Sequence, residues 1–522
     1  MVDYGQLFLQ FIRIVGKVIK FGLPIIFFTG LVWPLALAIA GGIFEWQPPA
    51  WLIALSIFLC LYTFIQNIAR KITKDPEFFL AGAILGWSRE RSEAKLLNPK
   101  FAPEYCSSIP EGYPLGKQKH KWIRLPDNMP YHCLVTGGSG SGKSSTQVIP
   151  LLYCSKIPCF VVDIKKELYQ KTARSNSLLF DPSDPTAFGY NPFNLVSKDS
   201  VILDITTIAN SLIPTSSDKK SEFWDLEAQN FLAGCLLYHY KHNYNFTDAL
   251  RRIQSMNASK FIAEAVAEGD EDVNVLLGHF DGMAEQTLSG VTATVSSKIM
   301  VFASDPDIMR CFSMPDERCI KPQDLLDGRN IYLCIPEARL EVYKHATQLI
   351  IGQFLKFFEK QPDASSGIPK VNFVLDEFYR LGKLTSVEMG LATLRSKGVR
   401  LHLICQSNAQ IESLYGKIGS KIICDNCSVK VLLGATDVET QDYYSKLTGT
   451  YDRTKKSFSD NKGDFKLLGS SGMSISTEEK RLIKPEALAT LGSEAIVFTP
   501  KGWGRVKKQP YYKAPEFKAL AP

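Results

Sequence analysis

The sequence predicts an α/β fold: a mostly parallel, doubly wound sheet, interrupted by a helical insert and preceded by two apolar helices. Three observations carry that expectation. Short apolar runs alternate with helix-compatible stretches along most of the chain, a glycine-rich loop at 137–144 follows directly on one such run, and no residue is charged at 21–44 or at 46–69.

Composition sets the outer bounds. With 522 residues, 45% hydrophobic and 22% charged, the chain is a folded protein with room for several domains, not a disordered one. A net charge of +7 permits contact with nucleic acid or acidic lipid and demonstrates neither. The 12 cysteines lie scattered in apolar runs, as at Cys133, Cys159, Cys334 and Cys405, which is the usage of reduced, buried thiols and not of a disulfide framework. Cys424 and Cys427 form a C-x-x-C with no second pair or nearby histidine, and read as a strand-lining pair in preference to a metal site.

The two charge-free stretches are each long enough to cross about 30 Å of hydrocarbon. A short polar connection around Glu45, Gln47, Pro48 and Pro49 joins them. Arg13, Lys17 and Lys20 precede the first span and Arg70, Lys71 and Lys74 follow the second, so both ends are expected to face the cytoplasm. Residues 7–20 pattern as a basic amphipathic helix lying along the inner membrane surface. The rival reading, a cleaved secretory signal with Ala36, Ala38 and Ala40 near its end, fails on the second span with its basic flank. Residues 75–129, punctuated by proline and charge, read as a linker and an edge strand.

From residue 130 the βα pattern begins. Tyr131-His132-Cys133-Leu134-Val135 has the character of a buried strand, and Gly137, Gly138, Ser139, Gly140, Ser141, Gly142, Lys143 and Ser144, with Ser145 behind them, form a complete phosphate-binding loop. In such a loop glycines turn successive N–H groups toward the α- and β-phosphates, Lys143 reaches the β- and γ-phosphates, and the Ser144 hydroxyl ligates Mg²⁺. ATP with Mg²⁺ is the expected ligand. Cys159-Phe160-Val161-Val162-Asp163 starts a second βα unit, and strand-like runs return at 330–335, 371–375 and 401–405. Between them, 198–326 changes to helical period, with Phe223, Trp224, Ala228, Phe231, Leu232 and Leu236 at helical spacing. The expected division is therefore 1–74 (amphipathic segment and two-helix anchor), 75–129, a nucleotide-binding domain of 130–197 with 327–522, and an all-α insert at 198–326. Residues 454–479, rich in Ser, Lys and Gly, are expected to be a mobile loop.

The run Val371-Asn372-Phe373-Val374-Leu375 ends in Asp376-Glu377, as a Walker B strand delivers two carboxylates to a sheet edge. Asp376 is assigned to Mg²⁺, and Glu377 to orienting and deprotonating the water that attacks the γ-phosphate. Gln406 tips the run 401–405 and reads either as a sensor of the γ-phosphate or as a strand-end amide satisfying backbone groups. Arg395 reads either as an arginine finger reaching a neighbouring subunit's nucleotide or as a solvated helix-end arginine.

These blocks resemble the type IV secretion coupling proteins, the membrane-anchored TraG/TraD-like family of conjugation ATPases, over nearly the whole chain. The resemblance rests on the two N-terminal spans, the loop followed by Val148-Ile149-Pro150, Asp163-x-Lys165-x-Glu167, Tyr190-Asn191-Pro192-Phe193 and Phe223-Trp224. Leu375-Asp376-Glu377-Phe378, the Arg395 segment, Ile404-Cys405-Gln406-Ser407 and Ser445-x-x-Thr448-Gly449 continue it in the family's order. It implies a RecA-like motor with an inserted all-α domain, a homo-hexamer with nucleotide at its subunit interfaces, and Arg395 acting in trans. It also implies a gatekeeper that receives a relaxase bound to single-stranded DNA, or an effector protein, and passes it to the components of a secretion channel. Two departures stand out: Ile164 and Lys166 replace the Pro and Gly of the family's Asp-Pro-Lys-Gly-Glu motif, and no long acidic tail follows the core.

Other functions fit less well. A chromosome-partitioning DNA pump would carry a long linker and a terminal winged helix, neither of which is visible. An ABC-type subunit would need more than Leu288-Ser289-Gly290, placed immediately before the Walker B strand. A nucleotide-switched membrane receptor with little turnover has Glu377 against it.

Overall fold

Side chains that must leave water on both faces of a sheet make continuous apolar runs, and those runs form the centre of this molecule. The computed structural model describes residues 101–215, 219–364, 370–460 and 471–522. In chain order the strands are β1 (Cys106–Ser107), β2 (Tyr113–Gln118), β3 (Lys121–Leu125), β4 (Cys133–Gly137), β5 (Cys159–Asp163), β6 (Leu178–Phe180) and β7 (Ile331–Cys334). They continue with β8 (Val371–Leu375), β9 (Val399–Cys405), β10 (Val429–Gly434), β11 (Thr450–Asp460), β12 (Ser471–Arg481), β13 (Glu494–Thr499) and β14 (Gly502–Lys507). Every residue of β4, β5, β7, β8 and β9 is buried.

Among the described residues twelve strands form one sheet, in the order β1-β3-β2-β14-β13-β10-β4-β9-β8-β5-β7-β6. The half from β10 to β6 is parallel throughout, and β13, β14, β2, β3 and β1 extend it with antiparallel pairs. The sheet is thus a large mixed one, not the mostly parallel sheet expected. The expected single edge strand before residue 130 is three strands, which join the end formed by β13 and β14.

Helices cover both faces. On one lie α1 (Ile149–Cys154) and α2 (Glu167–Thr172), whose Leu151, Leu152 and Leu168 pack with Val135, Val161 and Val374 of the sheet. Between β6 and β7 the described residues hold helices without a strand: α3 (Val201–Leu212), α4 (Lys219–Lys241), α5 (Phe246–Ser255), α6 (Ala258–Ala267), α7 (Glu271–Leu277), α8 (Glu285–Ser304), α9 (Pro306–Phe312) and α10 (Pro322–Leu326). Then come α11 (Leu340–Glu359), α12 (Thr385–Thr393), α13 (Asn408–Asn426), α14 (Val438–Thr448) and the short α15 (Pro515–Lys518). One apolar cluster runs unbroken from Phe160, Phe373 and Leu401 of the sheet through α11 into α3, α4 and α8.

Within the stretch 454–479, expected to be a mobile loop, the described residues 454–460 and 471–479 belong to strands. β11 pairs antiparallel with β12 from Thr450↔Arg481 to Asp460↔Ser471, a hairpin separate from the main sheet. Backbone ladders need no apolar side chains, which is why composition misled. The two apolar stretches, the amphipathic segment and the start of the linker lie outside the described residues. Within the described residues no helix is long and apolar enough to cross a membrane.

Candidate nucleotide site

β4 delivers the glycine loop to the C-terminal edge of the parallel strands. Gly140 and Gly142 adopt φ of 72° and 94°, in the left-handed region that residues with a Cβ enter only with strain. A Cβ on Gly137 would lie 2.5 Å from Ser141 Oγ and 2.9 Å from Leu433 Cβ, whereas one on Gly140 would meet nothing within 4 Å, so the loop packs tightly at its base and is open at its tip. Lys143 Nζ donates to Gly137 O (2.7 Å) and Gly138 O (3.1 Å). Burial lowers the pKa of Lys143, while Asp376 and Glu377 pull it back up. Ser144 opens a wide helical turn, Ser144–Val148, that runs on into α1. Ser139 is exposed, and Ser141, Ser144 and Ser145 are half-buried.

The carboxylates arrive on neighbouring strands. Asp376, just past β8, is 8% exposed, and its pKa is pushed up to about 7 by burial and by the charges of Glu377 and Asp163. Its Oδ1 is buried without a hydrogen-bond partner. Glu377 sits at φ 50°, ψ 46°, left-handed without being glycine, and Lys165 Nζ lies 3.3 Å from its Oε1, with Arg380 Nη1 4.0 Å from Oε2. The charge of Glu377 is the main cause that raises the pKa of Lys165. Asp163 ends β5 and accepts from the N–H groups of Tyr169 (2.8 Å) and Lys165 (3.3 Å), while burial raises its pKa. Strained backbone and a carboxyl held near neutrality are what a catalytic edge displays.

The departure at residues 164 and 166 does not open the turn. Lys166 takes φ 56°, ψ 10°, the conformation glycine would supply without strain. Its ammonium lies 2.7 Å from Asp181 and 3.6 Å from Asp184, contacts that offset part of that strain.

Gln406 follows β9, and β9 lies between β4 and β8, with Thr136 opposite Cys405. That places Gln406 at the same edge as the loop and the carboxylates. Its backbone N–H donates to Gln410 Oε1 (3.0 Å). Arg395 is not brought there. It is exposed ahead of β9, at the opposite edge, and its guanidinium carbon lies 4.8 Å from the Tyr131 ring centroid. Cys424 and Cys427 do not line a strand: both are buried free thiols, at the end of α13 and in its C-cap.

The profile of the family described as Type IV secretory system Conjugative DNA transfer matches residues 91–522. The chain belongs to that family. Within it, this coupling-family chain is 24% identical over 413 residues to protein VirD4 of Rhizobium radiobacter, covering 74% of the chain and 58% of VirD4. It is 23% identical over 488 residues to the conjugal transfer protein TraG of Escherichia coli, covering 83% of the chain and 75% of TraG. The chain therefore spans less than two thirds of the VirD4 relative's length. Among solved structures, plasmid coupling protein TrwB in complex with ADP and Mg²⁺ superposes with a TM-score of 0.61 at 17% identity, over 80% of this chain and 96% of that one. The likeness establishes a shared α/β fold with a large mixed sheet.

Two members of the site were not legible in this family member's sequence. Lys165 is named by its motif, but its contact with Glu377 depends on β5 and β8 being neighbours. Lys508, whose Nζ donates to Ser141 O (3.2 Å), carries no local signal, being one of a Lys-Lys pair near the end of the chain.

Proposed function

We propose that this chain is a membrane-anchored, hexameric ATP hydrolase that receives relaxase-bound single-stranded DNA or an effector protein and delivers it to a type IV secretion channel. The observation that carries this reading is the meeting of the glycine loop, the Asp376-Glu377 pair and Gln406 at one sheet edge, in a chain of the conjugative DNA transfer family. The relative TrwB, solved with ADP and Mg²⁺, supports the same ligands here.

In this reading 130–197 with 327–522 are a RecA-like motor domain, 198–326 an inserted all-α domain that reads cargo, and 1–74 the anchor in the inner membrane with both ends cytoplasmic. The N–H groups of residues 138–145 and the Lys143 ammonium bind the polyphosphate. The unpartnered, buried Asp376 Oδ1 and the Ser144 hydroxyl are hard oxygen donors that suit Mg²⁺, which would neutralise phosphate charge. Glu377 orients the attacking water and takes its proton on a carboxylate oxygen, and Gln406 responds to the γ-phosphate. Arg395, remote from the loop of its own subunit, acts on a neighbour's nucleotide.

The test is ATP turnover by the full-length protein, alone and with single-stranded or duplex DNA, across a salt series and beside Lys143→Ala. Stimulation by DNA that fades with salt supports a DNA cargo, and turnover indifferent to DNA moves the cargo to protein. Absent turnover, or turnover undiminished in Lys143→Ala, overturns the ATPase reading.

A further inference from the structure

The end of the chain is built into the back of the phosphate loop. β14 stops at Lys507, and the Lys508 side chain turns inward, where Nζ donates to Ser141 O (3.2 Å), Leu433 O (2.8 Å) and Gly492 O (2.9 Å). Those carbonyls belong to the loop, to the end of β10 and to the turn before β13, segments that meet only in the folded chain. The Lys508 N–H donates to Ser493 O (2.8 Å), and three residues on, the Tyr511 N–H donates to Ser145 O (3.0 Å). The Tyr511 ring stands edge-on to Tyr153 of α1, centroids 6.0 Å apart, with Lys171 Nζ 5.2 Å from its own centroid. Lys117 and Glu516 (2.6 Å) and the rings of Trp122 and Phe517 (5.2 Å) fasten the segment further along. Residues 508–511 thus hold Ser141 and Ser145, which bracket Gly142, Lys143 and Ser144.

The chemistry of this grip exceeds what a tie requires. Half-buried lysines are ordinarily paired with a carboxylate. Burial lowers the pKa of Lys508, and among the described residues no carboxylate lies within ion-pair distance of its ammonium, so three carbonyl dipoles solvate its charge. A polyphosphate in the loop, whose Ser141 carbonyl this ammonium holds, would feel that charge. The loop's own geometry points the same way. A peptide whose C=O is held behind the loop presents its N–H side to the front, which is the orientation a phosphate cradle needs.

We propose that Lys508 is a positioning residue of the nucleotide site: it holds the Ser141 carbonyl at the back of the loop and places a positive charge behind the bound polyphosphate. The segment at 508–511 is then part of the nucleotide site and not a passive tail. The inference rests on residues 137–145 being the phosphate loop proposed above.

The experiment measures equilibrium binding of ATP and steady-state turnover for full-length wild type, Lys508→Met, Lys508→Arg and Lys143→Ala, with an unfolding midpoint for each. Lost hydrogen bonds to a charged group imply an affinity fall of about tenfold. Lys508→Met is expected to raise Kd and KM for ATP by that factor and leave kcat within about twofold, while Lys508→Arg recovers most of the affinity. A lowered unfolding midpoint with KM unchanged overturns the proposal, because a purely structural tie would behave so. If Lys508→Met does not fold, Lys508→Gln keeps a donor without the charge, and ATP affinity equal to wild type in that variant overturns the proposal as well. Wild-type affinity in Lys508→Met beside lost affinity in Lys143→Ala sinks the role of Lys508 alone. Absence of ATP binding by the wild type sinks the phosphate-loop reading itself.

Discussion

The C-terminal and N-terminal edges of β4, β8 and β9 are both lined with buried polar groups, and they treat them differently. At the C-terminal edge Glu377 and nearby Lys166 hold left-handed backbones, Asp376 is raised to about 7, and its Oδ1 has no partner. At the N-terminal edge no described residue other than glycine is left-handed, and the buried groups bond in part to the protein's own backbone and amides, although Arg400 Nε and Nη1 and His402 Nδ1 are as unpartnered in hydrogen bonds as Asp376 Oδ1. Arg400 Nη2 donates to Pro126 O (3.0 Å), Asp127 O (3.1 Å) and Met129 O (2.6 Å). His132 Nδ1 accepts from the Leu401 N–H (3.0 Å), and its Nε2 lies 3.1 Å from Leu391 O. His402 Nε2 meets Asn372 Oδ1 (3.1 Å). Burial of polar groups and like charges occur at both edges and do not by themselves mark a functional site; burial combined with backbone strain does.

The sharpest way to break this contrast is Glu377→Gln. Turnover is expected to vanish while ATP affinity is kept, because the amide keeps the shape and loses the base. Undiminished hydrolysis in that variant would remove Glu377 from its assigned role. Arg395 tests the contrast from the other side, being the one candidate site residue at the N-terminal edge. Mixed with wild type, Arg395→Ala should lower turnover by more than its share of the subunits if it acts on a neighbour's nucleotide. Strictly proportional loss would return it to a structural role on Tyr131.

Acid should move the two edges in opposite directions. His132, held neutral by burial and by the positive charges of Arg395 and Arg400, has its pKa lowered to about 4 from an ordinary 6.5. The unfolded chain therefore takes up the proton first as pH falls. The stability His132 contributes is complete above about 6.5 and is lost toward pH 4, by about 3 kcal/mol. Asp376 has the opposite sign: its raised pKa means stability present at pH 4 and lost as pH rises through 7. Unfolding midpoints in denaturant between pH 4 and 7.5, without nucleotide or Mg²⁺, should show His132→Gln less sensitive to acid than wild type and Asp376→Asn more stable at pH 7. Curves parallel to wild type for both would erase the distinction. Arg400→Met sharpens the same point at fixed pH. Three carbonyls lose their buried donor, so a loss of about 3 kcal/mol is expected with KM for ATP unchanged.

How much of this was legible before the fold follows from where each signal is stored. β4, β5, β7, β8 and β9 are buried on both faces and announce themselves as apolar runs. β6 is only three residues long, the run of β10 is broken by Lys430, whose Nζ turns back to Cys427 O (2.6 Å), and β14 alternates exposed and buried positions at its end. The β11–β12 hairpin is written in backbone pairing, which leaves no compositional trace. At the site, the glycine loop and Asp376-Glu377 are contiguous in sequence and readable there. The Lys165–Glu377 contact and the three carbonyls around Lys508 depend on which strands lie side by side, and no local pattern contains them.

Lys166 gives the smallest effect and the finest test. It stands where the family motif has glycine, and its left-handed backbone implies a strain of about 1 kcal/mol for any residue with a Cβ. Lys166→Gly and Lys166→Ala both delete the ion pairs with Asp181 and Asp184, so that loss is common to the two variants. What separates them is the strain, which glycine relieves and alanine keeps, set against the greater freedom glycine has in the unfolded chain. Lys166→Gly should therefore be the more stable of the two, by up to about 1 kcal/mol in denaturant unfolding. An alanine variant as stable as the glycine variant would mean that the turn relaxes out of the left-handed region once the ion pairs are gone. The side chain of Lys166, and not the sheet edge around it, would then be what maintains the conformation.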